Sequence, residues 1–99
     1  MYNIIWSKDA EIDYAENINF LLGSWTEKQV FNFIDAVNQH LNLIKHNPKI
    51  FALTDFPGIR SVLIVKEIRL FYKITNNNTV ELIRFWNNYQ NSKNLKDEL

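Results

Sequence analysis

Arg60, Lys66, Arg69, Lys73 and Arg84 fall within residues 59–84, where Glu67 and Glu81 are the acidic residues, a local balance of +3. Side chains at alternate positions of a strand share one side of a sheet. A row of cations placed that way suits an anion, either a phosphate or a carboxylate. The opposite sign gathers at the other end of the chain. Residues 1–27 hold Lys8 against Asp9, Glu11, Asp13, Glu16 and Glu27, a balance of −4. Over its whole length the chain is neutral, with 11 Lys and Arg against 11 Asp and Glu. Bulk charge therefore does not drive strong non-specific binding to nucleic acid.

Other constellations carry less. Without cysteine there is neither a disulfide framework nor a thiolate metal site. His40 and His46 stand on different faces of one expected helix, so no shared metal is expected. No nucleophile elbow, glycine-rich phosphate loop or HExxH occurs, and no cofactor or metal is expected. The carboxylates near the N-terminus read as a solvated helix face, and Trp6, Trp25 and Trp86 as core or rim residues. No apolar run approaches the roughly 20 residues that cross a bilayer. The ending "NSKNLKDEL" spells an endoplasmic-reticulum retention address. Such an address acts only after entry into the secretory pathway. The start "MYNIIWSKDAEID" has neither a basic leader nor an apolar leader run, so the address is expected to be coincidental.

The elements that must position the cations can be read in order. "YNIIWS" is strand-like, and Ser7 suits the cap of a helix that places Ala10, Tyr14, Ile18 and Leu21 on one face. Gly23 is expected to stop it. Thr26 and Gln29 form a T-x-x-Q capping box for a second helix. Its stripe is Val30, Phe33, Ile34, Val37, Leu41 and Ile44, and "HNP" ends it. After the loop "NPKIFALTDFPG" come the strand-like runs "IRSVLIV", "IRLFYKI" and "VELIRFW". The order β-α-α-β-β-β predicts an α+β domain, a helical hairpin on one face of a small, mainly antiparallel sheet. One domain is expected over residues 1–95, with a charged tail at 96–99.

Taking Lys66-Glu67 as a two-residue turn pairs Val65 with Ile68. Ile59, Ser61, Leu63, Val65, Ile68, Leu70, Tyr72 and Ile74 then face the helices, and Arg60, Val62, Ile64, Arg69, Phe71 and Lys73 face away. Arg60 falls opposite Lys73, a costly pair unless an anion intervenes. Two registers stay open for the last strand: one sets Glu81 against Lys73, the other sets Arg84 beside Arg69 and turns Glu81 inward. Solvated structural cations and an anion-binding surface are evenly weighted.

From Tyr2 to Leu95 the chain resembles the RelE/ParE superfamily of bacterial toxin–antitoxin toxins. The resemblance is carried by "IIWSKDA" before helix one, "WTEK" opening helix two, "LIKHNPKIF" closing it, then "GIRSVLIVKEIRLFYKI" and "VELIRFWNNYQNSKNL". It implies a cytoplasmic bacterial toxin, of the plasmid-stabilisation type, held inactive by a cognate antitoxin. RelE-like members are metal-independent endoribonucleases that cut messenger RNA in the ribosome, using cations to stabilise charge on the scissile phosphate. ParE-like members inhibit DNA gyrase. By position Arg69 matches the third-strand arginine and Arg60 the one opening the second strand. Arg84 lies where a second cation is common, and Tyr89 where a proton-transfer group stands in the nucleases. Tyr89 and Ser92 depart from the family, whose members have arginine and proline there.

Two features favour a ParE-like or otherwise non-nucleolytic action: the neutral charge and the thin catalytic set. The alternatives are the RelE-like nuclease, with Arg69, Arg84 and Tyr89 as catalytic residues, and a degenerate relative that only binds protein. Arg60, Arg69, Phe71, Lys73 and Trp86 are the expected surface for antitoxin or target, and an acidic, amphipathic antitoxin segment would complement it.

Overall fold

The computed structural model describes residues 1–24, 26–88 and 99. The chain runs β1 (Asn3–Trp6), α1 (Lys8–Ser24), α2 (Glu27–His46), β2 (Ile59–Val65), β3 (Ile68–Asn76) and β4 (Thr79–Asn87). The strands form one sheet in the order β1-β4-β3-β2. β1 pairs parallel to β4 and the other pairs are antiparallel. This is the expected α+β architecture, with both helices contributing to one core against the sheet.

Local chemistry accounts for the helices. Ser7 Oγ accepts the Ala10 N–H at 2.9 Å, satisfying a first-turn amide that has no helical partner. Thr26 Oγ1 accepts from the Gln29 amide at 3.3 Å while Gln29 Oε1 accepts from the Thr26 amide at 3.0 Å. That is the reciprocal capping box the sequence predicts. α2 ends at His46, two residues before Pro48, and α1 runs one residue past Gly23. Ala10 and Leu21 of α1 and Val30, Phe33, Val37 and Ile44 of α2 are buried against Ile68, Leu70, Tyr72, Val80, Leu82 and Phe85 of the sheet.

β3 has the expected phase; β2 does not. Val65 stands opposite Ile68 as predicted, but Leu63 stands opposite Arg69, leaving Ile64 as an additional residue. Glu67 adopts φ 71°, the left-handed conformation that longer hairpin loops need and that Gly or Asn usually supplies. Each unpaired residue in a strand inverts the facing of all that precede it. So Arg60 and Val62 turn toward the helices, while Ile59, Ser61 and Leu63 turn away. The expected Arg60–Lys73 pair is replaced by Ile59 opposite Lys73 and Arg60 opposite Tyr72. A non-glycine residue held left-handed costs about 1–2 kcal/mol. Glu67→Asn is expected to raise stability by about 0.5–1 kcal/mol, read as a higher urea midpoint at unchanged slope. A lower midpoint would mean that the Glu67 side chain stabilises the turn by more than its backbone strain costs.

The last strand takes the first of the two registers, with Lys73 opposite Glu81 and Arg84 opposite Phe71. The register shifts twice along this pair, leaving Ile83 and Thr75 without opposite partners. β1 stops at Trp6, opposite Leu82, whereas β4 continues to Asn87. Beyond that point side chains at the start of α1 and along it replace the missing strand. Ser7 Oγ donates to the Ile83 carbonyl at 2.9 Å. Asp13 Oδ2 accepts the Phe85 N–H at 3.0 Å, and Asn17 Nδ2 donates to the Phe85 carbonyl at 3.2 Å. Asn87 Nδ2 donates to Asn17 Oδ1 at 2.8 Å. Asp13 is thus buried and not part of a solvated face; Asp9, Glu11 and Glu16 are exposed as expected.

Candidate functional site

The face of the sheet turned away from the helices holds three cross-strand rows. Leu63, Arg69 and Trp86 make one, Ser61, Phe71 and Arg84 the next, and Ile59, Lys73 and Glu81 the third. Arg69, Lys73, Phe71 and Trp86 are therefore gathered on the expected face. Arg60 is not. It lies on the helix side of β2, where its Nη1 donates to the Phe51 carbonyl at 2.8 Å. Phe71 and Trp86 are buried and stand outside the helix-side core. Tyr89 lies outside the described residues.

The electrostatics of this face are largely compensated. Arg84 grips Asp13 with two parallel bonds, Nε to Oδ2 at 2.6 Å and Nη2 to Oδ1 at 2.8 Å. Their side chains are 13% and 7% exposed, so this is a buried, bidentate pair of the strong kind. The same guanidinium stands 5.4 Å from the centre of the Trp86 ring. Lys73 Nζ lies 3.6 Å from Glu81 Oε1, with side chains 47% and 34% exposed, and such a partly solvated pair adds little stability. Arg69 Nη1 donates to Ser61 Oγ at 3.1 Å, a neutral partner, and among the described residues no carboxylate forms an ion pair with it. An arginine set that stabilises charge on a phosphate must deliver that charge to the reacting oxygens. Here Arg84 delivers its charge to a carboxylate of its own chain.

On the other side of the sheet, Arg60 helps fasten the loop between α2 and β2. Tyr72 OH donates to the Pro48 carbonyl at 2.8 Å. Ser61 N–H donates to the Ala52 carbonyl and Thr54 N–H to the Ile59 carbonyl, at 3.2 and 2.8 Å. Burial pushes the Tyr72 hydroxyl above its ordinary value of 10.0, and the nearby Arg60 and a backbone bond only partly offset it. Folding thus favours the neutral phenol. Its contribution is complete below pH 10 and is lost as pH climbs from the unfolded toward the folded value. Tyr14, also raised by burial, acts in the same direction. Tyr72→Phe is expected to cost about 0.5–1.5 kcal/mol at neutral pH and to flatten the decline in stability above pH 10. Denaturation measured at several alkaline pH values checks both.

Nothing among the described residues assembles a metal site from three or more His, Asp or Glu side chains. His40 Nδ1 meets the Ala36 carbonyl and His46 Nδ1 the Asn42 carbonyl, each within its own helix. No described helix is long and apolar enough to cross a membrane. The missed functional candidate is Asp13. Its signal was present, since Asp13 and Asn17 fall between the apolar positions Ala10, Tyr14, Ile18 and Leu21 on the face that meets the sheet.

Comparison with known proteins follows the same lines. A family model described as the ParE toxin of the type II toxin–antitoxin system, parDE, matches residues 4–91. No curated protein matches. A chain of the chromosomal ParDE system from P. aeruginosa superposes with a TM-score of 0.72 at 10% identity, covering 88% of this chain and 96% of that one. The YoeB/ParE toxin from Agrobacterium tumefaciens gives 0.63 at 18% identity, covering 88% and 98%. The heterotetrameric YoeB-YefM toxin-antitoxin complex from Staphylococcus aureus gives 0.59 at 20%, covering 87% and 95%. At these identities the likeness establishes the fold.

Proposed function

The chain belongs to the ParE toxin family of type II toxin–antitoxin systems, and we propose that it acts by holding a protein target, DNA gyrase, and not by cutting RNA. One observation supports this above the rest: three of the four strand cations, all but Arg69, are held by carboxylates or a backbone carbonyl of the chain itself. Arg84 is neutralised by Asp13, Lys73 faces Glu81, and Arg60 is turned to the Phe51 carbonyl. A nuclease of the metal-free kind needs several cations converging on one phosphate, because the developing charge is stabilised by dipoles and charges already in place. A surface that recognises protein needs no such convergence. It works with charged groups beside apolar ones, which is what Arg69, Lys73 and Leu63 offer.

As a toxin of this family the chain is neutralised by an antitoxin, and the outward sheet face with Arg69 and Lys73 is the surface we assign to partner binding. Purified protein is expected to abolish supercoiling by gyrase in a dose-dependent manner. Messages on ribosomes are expected to stay intact in primer-extension assays after induction. Gyrase that supercoils normally at saturating protein, together with cut messages, would establish the nuclease instead.

A further inference from the structure

α1 carries apolar residues on two sides. Ala10, Tyr14, Ile18 and Leu21 meet the core. Ile12, Ala15 and Leu22 fall on the opposite side of the helix, which turns about 100° per residue. Ile12 is 43% and Leu22 55% exposed, and Ala15 is exposed as well. Carboxylates run along both margins of this stripe, Glu11 on one side and Asp9 and Glu16 on the other. All three are exposed, and none forms an ion pair with a described residue.

The outward face of the sheet has the reverse sign. Leu63, 47% exposed, stands opposite Arg69, and Ile59 stands opposite Lys73. Apolar positions thus make one row on β2 and cations a parallel row on β3, with neighbouring strands about 4.8 Å apart. The spacings of the two faces agree. Arg69 and Lys73, four residues apart in β3, are separated by about 13 Å. Asp9 and Glu16, seven apart in α1, are separated by about 10 Å, a difference that long side chains absorb. Along the apolar rows, Ile59 to Leu63 spans about 13 Å and Ile12 to Leu22 about 15 Å.

We propose that the exposed side of α1 in one copy of this chain docks on the outward sheet face of a second copy. Asp9 and Glu16 then meet Arg69 and Lys73, while Ile12 and Leu22 meet Ile59 and Leu63. A second copy is the occupant because the same chain supplies both halves of the match, each an apolar row beside a row of charge, with the charges opposite in sign. The two halves lie on opposite sides of the molecule, since α1 stands between the sheet and its own exposed stripe. Such a contact is head-to-tail and cannot close within a pair, so copies add in line. Stacking covers the sheet face of every copy but the one at the end of the row. That is the face assigned above to partners, so the concentrated free chain masks its own binding surface and dilution exposes it. Neither gyrase nor the antitoxin enters this contact.

Sedimentation equilibrium of the purified free chain tests it. At about 0.01 M salt, where the Debye length is about 30 Å, the average mass is expected to rise with concentration without levelling at two copies. At about 0.15 M salt, where that length is about 8 Å, the association constant is expected to fall at least tenfold. Glu16→Lys and Arg69→Glu are each expected to weaken association at least tenfold, because each sets like charges together. The chain carrying both substitutions is expected to recover it, with the signs of the pair exchanged. Where Arg69→Glu fails to fold, Leu63→Glu brings the same charge to an exposed position of that face and takes its place. A monomer at every concentration overturns the proposal, and so does a mass that stops at two copies, the mark of a closed interface elsewhere. Association that survives the single reversals, or a double variant no better than the singles, overturns the pairing of these two faces.

Discussion

Replacing Asp13 by alanine is expected to remove about 3–5 kcal/mol of stability, the cost of leaving a buried charge without its partner. Asp13 holds both nitrogens of the Arg84 fork and the Phe85 amide. Its loss strands a guanidinium with little access to water and opens the edge of β4 at once. A domain of this size shifts its melting temperature by roughly 4–8 °C per kcal/mol, so a drop on the order of 15 °C or more should appear in thermal unfolding. Asp13→Asn retains an oxygen for the Phe85 amide and should recover part of the loss. If alanine and asparagine melt together near the parent temperature, the pair is a surface feature and the burial described above is wrong.

Phe85→Ala is expected to cost about 3–5 kcal/mol, through lost burial and the cavity left behind. The ring is 1% exposed and lies within 5.3 Å of Trp6 and 5.7 Å of Tyr14, centre to centre. It therefore joins β1, α1 and β4 at a single point. Its backbone is the part of β4 that Asp13 and Asn17 hold, so the two sites share one relaxation. The Asp13→Ala, Phe85→Ala double variant should lose less than the two singles together, by a coupling of about 0.5–3 kcal/mol. Chemical denaturation of the four proteins measures it. Strict additivity would show that the ring and the edge contacts act separately.

Much of the fold was legible because it depends on local signals. The Thr26–Gln29 capping box, the apolar stripe of α2 and the order of the elements all stand where short-range chemistry puts them. The facing of β2 was not legible. It turns on Glu67 adopting a left-handed conformation without the glycine or asparagine that advertises one, and on one unpaired residue, Ile64. That single residue carried Arg60 from the partner surface to the helix side. Arg69, Phe71, Lys73 and Trp86 share a face, as alternation along β3 and its pairing with β4 require. The fate of Arg84 depended on a partner 71 positions away, and no local pattern reports such a contact. Even so, a carboxylate amid the apolar face of α1 was a visible sign that something cationic had to meet it.

Because β4 lies between β1 and β3, the earlier strands have no finished sheet to join until the end of the chain has been made. Until then the polypeptide carries helices that lack the central strand they pack against, and contacts so distant along the chain form slowly. A chain assembled in this order cannot present its finished sheet face before β4 has been made. An inhibitor already present in the cell therefore has the whole interval of synthesis in which to be waiting.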